Sequence, residues 1–251
     1  MSDVTVRLSG VSKRFAMREG TSLEVLRDIS FEARRGEFVA ILGPSGSGKS
    51  TLLSILSGLL DVDSGTVDVP PPNEIGYVFQ TARLLPWRTV KDNLEITRAA
   101  RAHPGKSFQK SVQDYLEAAG LGSYGDFYPA AVSGGMQQRA SIARALATEP
   151  ELLLMDEPFS ALDEMTARTQ RGFLQDLWLR NRSTVLFVTH NVLEAISLAT
   201  SIVVVSPRPA QVLEHLEIDV PRPRSLSDPR VGALQEKVLS LLGVDESAHL
   251  V

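Results

Sequence analysis

The chain has 251 residues, a formal net charge of −4 at pH 7 and no cysteine, with 43% hydrophobic and 22% charged residues. This balance is typical of one globular domain, or of a domain with a subdomain, and it favours no nucleic-acid partner. The lack of cysteine excludes disulfides, thiol nucleophiles and cysteine metal sites, and it fits a reducing cytosol. The N-terminus shows no signal-peptide pattern, and the longest uncharged apolar stretch, residues 195–206, is too short to span a bilayer. We therefore expect a cytoplasmic protein that reaches a membrane only through a partner.

The first part of the chain predicts strands, then a glycine-rich loop, then a helix. Residues 1–36 alternate apolar and polar side chains, which is typical of antiparallel strands. Residues 37–42 form a short apolar run suited to a buried strand. After the loop, apolar side chains from Leu52 to Leu59 recur at i, i+3, i+4 and i+7, which predicts a helix with one apolar face.

The loop between that strand and that helix has the G-x-x-x-x-G-K-S pattern of a phosphate-binding P-loop. Its glycines let successive backbone N–H groups turn toward phosphate oxygens without an intervening Cβ. Lys49 is expected to reach the β- and γ-phosphates of ATP, and the Ser50 hydroxyl is expected to bind Mg²⁺. A Ser/Gly surface turn is the alternative, but a strand before the loop and a helix after it favour an anion site. The expected ATP-binding residues of the loop are Gly43, Pro44, Ser45, Gly46, Ser47, Gly48, Lys49, Ser50 and Thr51.

The rest of the chain predicts alternating strands and helices. Short strands are expected at residues 64–69, which prolines end, and at residues 75–79. Residues 90–146 have a helical pattern that glycine and proline interrupt, for example at Pro104-Gly105. Strand-like apolar runs return at residues 152–155, 185–188 and 202–205, and the tail predicts an alternating strand over 216–220 and a helix with Val231, Leu234, Val238 and Leu241 on one face.

Four of the predicted strands are followed at their carboxyl ends by glycine or by polar residues: Gly43, Gln80, Asp156-Glu157 and His190. Ligands of open α/β sheets bind beyond those ends, so the coincidence predicts an α/β fold with one shared site. Asp156 fits a carboxylate that holds Mg²⁺ directly or through water, and Glu157 is placed to accept a proton from the attacking water. A strand running into a solvated acidic turn is the alternative for this pair, and a satisfied core histidine is the alternative for His190.

Residues 132–139, Val-Ser-Gly-Gly-Met-Gln-Gln-Arg, closely resemble the signature of ATP-binding-cassette (ABC) ATPases, where the first residue is usually leucine. From the residues alone, Ser133 is a good helix N-cap, and the two glycines leave backbone N–H groups unobstructed for a second anion site. A plain capped helix is the alternative. In the ABC family two subunits pair head to tail, and the resemblance implies that Ser133, Gly134, Gly135 and Gln137 contact ATP held by the partner's P-loop.

The resemblance also implies a domain organisation and further roles. It implies a P-loop NTPase of RecA-like core with an N-terminal antiparallel β subdomain (1–87 and 149–206), an α-helical signature subdomain (88–148) and a C-terminal strand and helix tail (207–251). Gln80 corresponds to the Q-loop glutamine, which reaches Mg²⁺ and the attacking water, and His190 to the switch histidine at the γ-phosphate. Ser160 and Asp163 fall in the D-loop, which crosses the dimer interface. Phe15 corresponds to the aromatic that stacks on adenine, with a strand-core phenylalanine as the alternative.

The chain is most similar to the ATPases of importers for nitrate, aliphatic sulfonates and taurine. Residues 78–80, 83–87, 206–209 and 221–224 carry that likeness, while a short Pro-rich link at residues 70–73 departs from the longer hairpin of these relatives. The resemblance implies a homodimer of ATPase subunits with transmembrane permease subunits and a solute-binding protein, on the cytoplasmic face of the membrane, using ATP and Mg²⁺. Trp87 and Leu84-Leu85 then either receive a coupling helix of the membrane subunit or are buried in the helical subdomain.

Other functions remain open at this stage. A different ABC ATPase, an exporter or a lipid-handling system, fits the same motifs. A soluble ABC ATPase of DNA repair or translation is less favoured, because the chain has no long coiled-coil or cysteine insertion and only one cassette. A P-loop GTPase or small-molecule kinase would leave the signature unexplained, and no Asn-Lys-x-Asp motif is present.

Overall fold

A computed structural model describes residues 3–17, 21–102, 106–160, 162–222, 224–225 and 227–243. The chain forms two compact units, which we call the P-loop unit (the described parts of Met1–Val69 and Leu186–Val251) and the signature unit (the described parts of Pro70–Val185). In chain order the elements are β1 (Val4–Ala16), β2 (Ser22–Arg34), β3 (Phe38–Leu42), α1 (Lys49–Leu56), β4 (Ser64–Asp68), β5 (Ile75–Val78), α2 (Val90–Arg101), α3 (Val112–Ala118), α4 (Gly134–Leu146), β6 (Leu152–Asp156), α5 (Glu164–Asn181), β7 (Thr184–Thr189), α6 (Val192–Leu198), β8 (Ser201–Val205), β9 (Val212–Glu217) and α7 (Pro229–Leu241).

The P-loop unit contains an antiparallel sheet and a mixed set of strands. The antiparallel sheet has the order β2-β1-β4, which confirms the expectation for the first 36 residues. In the mixed set β3 pairs with β8 in parallel, and β9 pairs with β8 in the antiparallel direction. Every residue of β3 and β8 is buried. Continuous hydrophobic runs are typical of strands that are covered on both faces, which is why these two runs were recognisable in the sequence.

Two element ends in the P-loop unit differ from expectation. Helix α1 stops at Leu56, and Leu59 lies beyond it with 72% of its surface exposed, so the predicted apolar face was one turn too long. The reason is Gly58, whose φ of +73 ends the helix as glycine commonly does. Strand β9 runs over residues 212–217, whereas the alternation predicted 216–220. Ile218 and Val220 are nevertheless buried, so the apolar alternation marked burial without marking the strand.

The signature unit pairs β5 with β6 in parallel, and its described residues also form four α-helices, α2 to α5, and three short 3-10 helices. The predicted helical region over 90–146 is confirmed as α2, α3 and α4 separated by loops; the expected break at Pro104-Gly105 lies outside the described residues. Thr89 and Ser111 each form a capping box, with Asp92 and Asp114 respectively, and this satisfies the first N–H groups of α2 and α3. Strand β7 spans the boundary between the two units.

Across the described ranges, none of the helices combines the length and the hydrophobicity that a membrane crossing requires.

Candidate active site

The P-loop backbone lies against neighbouring strands so closely that two of its residues have to be glycine. A Cβ on Gly43 would lie 2.5 Å from Val205 Cγ2 and 2.9 Å from the Val205 carbonyl oxygen. Gly48 has a φ of +115, and a Cβ there would lie 2.7 Å from Val25 Cγ1. Because β8 and β2 occupy that space, the loop keeps its curled shape only with these two glycines.

Lys49 begins α1 and is 5% exposed. Its ammonium donates hydrogen bonds to the carbonyl oxygens of Gly43 (2.9 Å) and Pro44 (2.8 Å), so the positive charge is held across the loop. Ser47 is 1% exposed, and its Oγ has no hydrogen-bond partner among the described residues. A buried hydroxyl without a partner is costly unless a ligand or water satisfies it. The curled backbone, the ammonium and this hydroxyl therefore fit a phosphate group.

His190 directly follows β7, and its side chain is exposed while the backbone on both sides is fixed. The Thr189 hydroxyl donates to Glu194 Oε2 (2.7 Å) and accepts from the Asn191 N–H (3.0 Å). The Asn191 side chain accepts from the N–H groups of Leu193 and Glu194 and so caps α6. The Asn191 cap and the Thr189 hydrogen bonds therefore fix the turn that presents His190.

Phe15, the expected adenine contact, is 37% exposed near the end of β1. The Lys13 ammonium lies 5.8 Å from the centre of its ring. The strand-core alternative is therefore wrong for this side chain, because a core phenylalanine would not keep over a third of its surface exposed.

In the signature unit, Asp156 ends β6 and Glu157 follows it with a φ of +40. A left-handed backbone is uncommon for a residue with a side chain, and strained residues of this kind cluster at functional sites. Burial, together with the charge of Asp156, raises the pKa of Tyr77 well above its ordinary value. The Asp156-Glu157 pair thus lies at a turn whose geometry is set by more than local preference.

Gln80 and Ser160 lie together in the signature unit and connect to the same turn. Gln80 Nε2 donates to Ser160 Oγ (3.0 Å), and Ser160 Oγ donates to the Glu157 carbonyl oxygen (3.0 Å). The Ser160 N–H also donates to that oxygen (3.2 Å). The residues expected to form the Q-loop, the catalytic turn and the D-loop are therefore joined by three hydrogen bonds.

Asp163 of the D-loop and Ser133 of the signature are both helix N-caps. Asp163 caps α5 by accepting from the Thr166 N–H (3.0 Å), and hydrogen bonds from Thr166 lower the pKa of Asp163. Ala161, which lies between Ser160 and Asp163, is outside the described residues. Ser133 caps α4 by accepting from the Met136 N–H (3.3 Å), as expected for the signature serine.

The signature glycines lie in unequal surroundings. A Cβ on Gly135 would lie 3.3 Å from Thr166 Cγ2, whereas a Cβ on Gly134 would meet nothing within 4 Å. The Gln137 amide donates to the Pro129 carbonyl oxygen (3.0 Å), so this expected ATP contact is engaged within its own unit. Among the described residues, no packing contact therefore requires glycine at position 134.

Sequence reasoning missed Arg144, which joins the signature helix to the segment after Gln80. Its guanidinium donates to the carbonyl oxygens of Ala82 (3.0 Å) and Arg83 (2.8 Å), and burial lowers its pKa. The available signal was a single charged residue within the apolar stretch from Ile142 to Leu146. A buried charge is stable only when polar groups of the fold form hydrogen bonds or ion pairs with it.

Comparisons with known proteins agree with this geometry. The family model described as "ABC transporter" matches residues 26–160. The chain is 42% identical to "Aliphatic sulfonates import ATP-binding protein SsuB 2" of Rhizobium johnstonii, over 96% of this chain and 92% of the relative. It is 38% identical to "Aliphatic sulfonates import ATP-binding protein SsuB" of Bacillus cereus, over 94% of this chain and 95% of the relative.

Solved structures give the same result. The dimeric ATP-binding cassette MJ0796, in a post-hydrolysis state with ADP and Pi, matches with a TM-score of 0.73 and 31% identity over 86% of this chain and 100% of that chain. CbiO1 from Clostridium perfringens, part of the ABC transporter complex cbiONQ, matches with a TM-score of 0.74 and 25% identity over 94% of this chain and 100% of that chain.

The fold is thus that of a P-loop ATPase with an antiparallel sheet, a mixed sheet and helices. The chain belongs to the ABC transporter ATP-binding proteins and is an ATPase.

Proposed function

We propose that this protein is the ATP-hydrolysing subunit of an ABC importer for a small anionic or zwitterionic solute, such as a sulfonate, taurine or nitrate. The observation that carries the proposal is a P-loop packed tightly onto β2 and β8 on the same chain as a signature helix with an open Gly134. Relatives named as aliphatic sulfonate import proteins support the solute class, as does the likeness at residues 206–209.

ATP binding falls to the P-loop unit in this proposal. The loop Gly43–Thr51 receives the phosphates, Lys49 supplies the charge and Phe15 stacks on adenine. Ser50, Gln80 and Asp156 offer hydroxyl, amide and carboxylate oxygens, which are the donors that Mg²⁺ prefers. When bound, Mg²⁺ neutralises charge on the phosphate oxygens.

Hydrolysis falls to Glu157 and His190. Glu157 accepts the proton of the water that attacks the γ-phosphorus, and Gln80 orients that water. His190 donates a hydrogen bond to the γ-phosphate and stabilises the charge that develops there. Hydrogen bonds beside both residues support these roles, because they restrain the turn that carries His190 and the backbone carbonyl of Glu157.

The signature acts across a homodimer, with residues 88–148 as the helical subdomain that carries it. Ser133, Gly134 and Gly135 present the start of α4 to the γ-phosphate held by a second copy. Gly134 supports this role, because at the start of α4 it leaves the backbone N–H groups open to a ligand and no described atom lies within 4 Å of a Cβ built there. Asp163 and Ser160 contribute the D-loop contact.

The membrane partner is a permease pair, with a solute-binding protein on the far side, and the chain acts on the cytoplasmic face. Trp87 supports this docking, since it is 69% exposed on a loop that the buried side chain of Asn93 fixes. The Asn93 amide donates to the carbonyl oxygens of Leu85, Arg88 and Thr89 and accepts from the Leu85 N–H. An exposed tryptophan on a rigid loop is typical of an interface. Burial of Trp87 is therefore the wrong alternative; Leu84 and Leu85 are partly buried.

Light scattering tests the ATPase part of this proposal. Glu157→Gln holds ATP without hydrolysing it, so this variant should be a dimer with Mg·ATP and a monomer with Mg·ADP. Adding Ser133→Arg to the same chain should abolish the dimer, because the long cation obstructs the signature contact. A dimer that forms equally with both nucleotides, or one that Ser133→Arg leaves intact, contradicts the signature role.

A pull-down from detergent-solubilised membranes tests the transport part. An importer subunit should retain a polytopic membrane protein, and Trp87→Ala should weaken that retention. Recovery of no membrane protein by the wild-type chain would contradict the assignment to a transporter.

A further inference from the structure

The loop after β8 is built as a rigid support next to the P-loop. The Ser206 hydroxyl accepts from the Gln211 N–H (3.0 Å) and donates to the Pro209 carbonyl oxygen (3.1 Å). Ala210 then joins β2, since its N–H donates to the Val25 carbonyl oxygen and its carbonyl accepts from the Arg27 N–H, both at 2.9 Å. A loop closed on itself and paired with a strand holds its side chains in fixed directions.

The strands that hold this loop also hold the P-loop. Val205, the last residue of β8, lies beneath Gly43, and Val25 of β2 lies beside Gly48. Residues 206–211 continue from the first strand and pair with the second. Two strands, β8 and β2, therefore fix the position of this loop relative to the P-loop.

Arg208 projects from this loop onto the P-loop. Its Nη2 donates to the Gly46 carbonyl oxygen at 2.6 Å. The side chain is exposed, and within the described ranges its guanidinium has no carboxylate partner and no second hydrogen bond. The P-loop thus has a fixed, uncompensated positive charge beside it, in addition to the Lys49 ammonium that bonds its own carbonyls.

We propose that Arg208 is a positioning residue for nucleotide binding, acting through the Gly46 peptide and through its charge. A guanidinium that donates a hydrogen bond to a carbonyl oxygen offsets the partial negative charge of that oxygen, so the loop presents a more positive surface to phosphate. The bond also restrains the Gly46 peptide, at a glycine whose φ of +75 lies in the left-handed region. This inference rests on the P-loop being the nucleotide site of the proposed function.

Calorimetric titration of Mg·ADP separates the two parts of this role. Arg208→Ala removes both the charge and the bond, and Arg208→Gln keeps an amide donor without charge, so each should weaken binding. We expect a loss of about 3- to 10-fold at low ionic strength for Arg208→Ala, the upper range for one partly exposed charge contact. The loss should shrink at high salt, and Arg208→Lys should restore most of the affinity.

Two further variants make the result decisive. Arg34 is an exposed arginine at the last residue of β2, the opposite end of the strand from Val25, so Arg34→Ala matches the change in net charge and should bind Mg·ADP as the wild type does. Lys49→Ala should lose affinity sharply. If Lys49→Ala binds normally, the P-loop is not the site and the proposed function fails. If only Lys49→Ala weakens binding, the role of Arg208 fails alone. It also fails alone if Arg34→Ala causes the same loss as Arg208→Ala, or if high salt does not reduce the Arg208→Ala loss and Arg208→Lys does not restore the affinity.

Discussion

Two glycines of the P-loop, Gly43 and Gly48, and one glycine of the signature, Gly134, satisfy different requirements. Gly43 and Gly48 lie against β8 and β2 with no room for a Cβ, so the chain's own packing requires them. Gly134 starts α4 in open space. The P-loop therefore keeps its curled shape through packing within one unit, whereas no packing contact among the described residues requires glycine at position 134. We call Gly43 and Gly48 the self-supporting glycines, because packing within the chain requires them, and Gly134 the partner-directed glycine, because the contact proposed for it lies outside the chain.

The prediction with the largest expected effect separates ATP hydrolysis from ATP binding. Glu157→Gln removes the base of the signature unit and leaves the P-loop untouched, so hydrolysis should fall by about 10²–10⁴-fold while ATP affinity stays unchanged. Steady-state phosphate release and equilibrium titration measure the two quantities. Turnover at the wild-type rate would mean that another residue activates the water.

The second prediction concerns the self-supporting glycines. Gly48→Ala adds a Cβ at a φ of +115 and 2.7 Å from Val25, so we expect loss of nucleotide binding and a fall in unfolding free energy of about 2 kcal/mol or more. Gly58→Ala is the control, since Gly58 has a φ of +73 with nothing within 4 Å of its Cβ. It should cost about 1–2 kcal/mol from backbone strain alone and keep the affinity. Chemical denaturation measures the stability and titration measures the affinity. If Gly48→Ala and Gly58→Ala gave the same results in both measurements, the comparison would be contradicted.

The third prediction concerns the partner-directed glycine. Gly134→Ala should keep the stability and ATP affinity of the isolated chain, because the methyl enters open space. It should weaken the ATP-dependent dimer by about 1–3 kcal/mol, the usual cost of an extra methyl in a tight contact. Gly232 in α7 also has nothing within 4 Å of a Cβ, so Gly232→Ala should change neither the affinity nor the dimer. An unimpaired Gly134→Ala dimer would remove the main support for a contact in trans.

The smallest expected effect is a pH dependence of stability in the P-loop unit. Partial desolvation lowers the pKa of His215, whose ring shares a hydrogen bond with the Ser201 hydroxyl (3.1 Å), although the charges of Glu37 and Glu217 oppose the shift. Because the unfolded chain binds this proton more tightly, the stabilisation is complete above the unfolded pKa of about 6.5 and is lost as the pH falls through the folded value. His215→Gln should therefore flatten the decline in unfolding free energy between about pH 7 and about pH 5. An unchanged slope would mean that other groups cause the decline.

The sequence alone was enough to recognise the P-loop pattern, the Asp156-Glu157 pair after an apolar run, and the signature pattern. Each is a local pattern, and the spacing of its residues along the chain indicates its chemistry. The three patterns are glycines before a lysine, an apolar run before two carboxylates, and a serine cap before two glycines. The ABC family followed from their combination, and the matches to known proteins confirm it. Buried runs such as β3 and β8 were recognisable for a similar reason, since burial on both faces selects continuous hydrophobic residues.

Tertiary structure decided what no local pattern contains. The contacts of Arg208 with Gly46 and of Arg144 with Ala82 join residues far apart in the chain, and an arginine's letter does not reveal which carbonyl it reaches. The exposure of Phe15 and of Leu59 likewise depends on where the neighbouring elements end. The difference between Gly43 and Gly134 is of the same kind: both are glycine in a glycine-rich motif, and only the atoms around them show that the first serves the fold and the second faces outward.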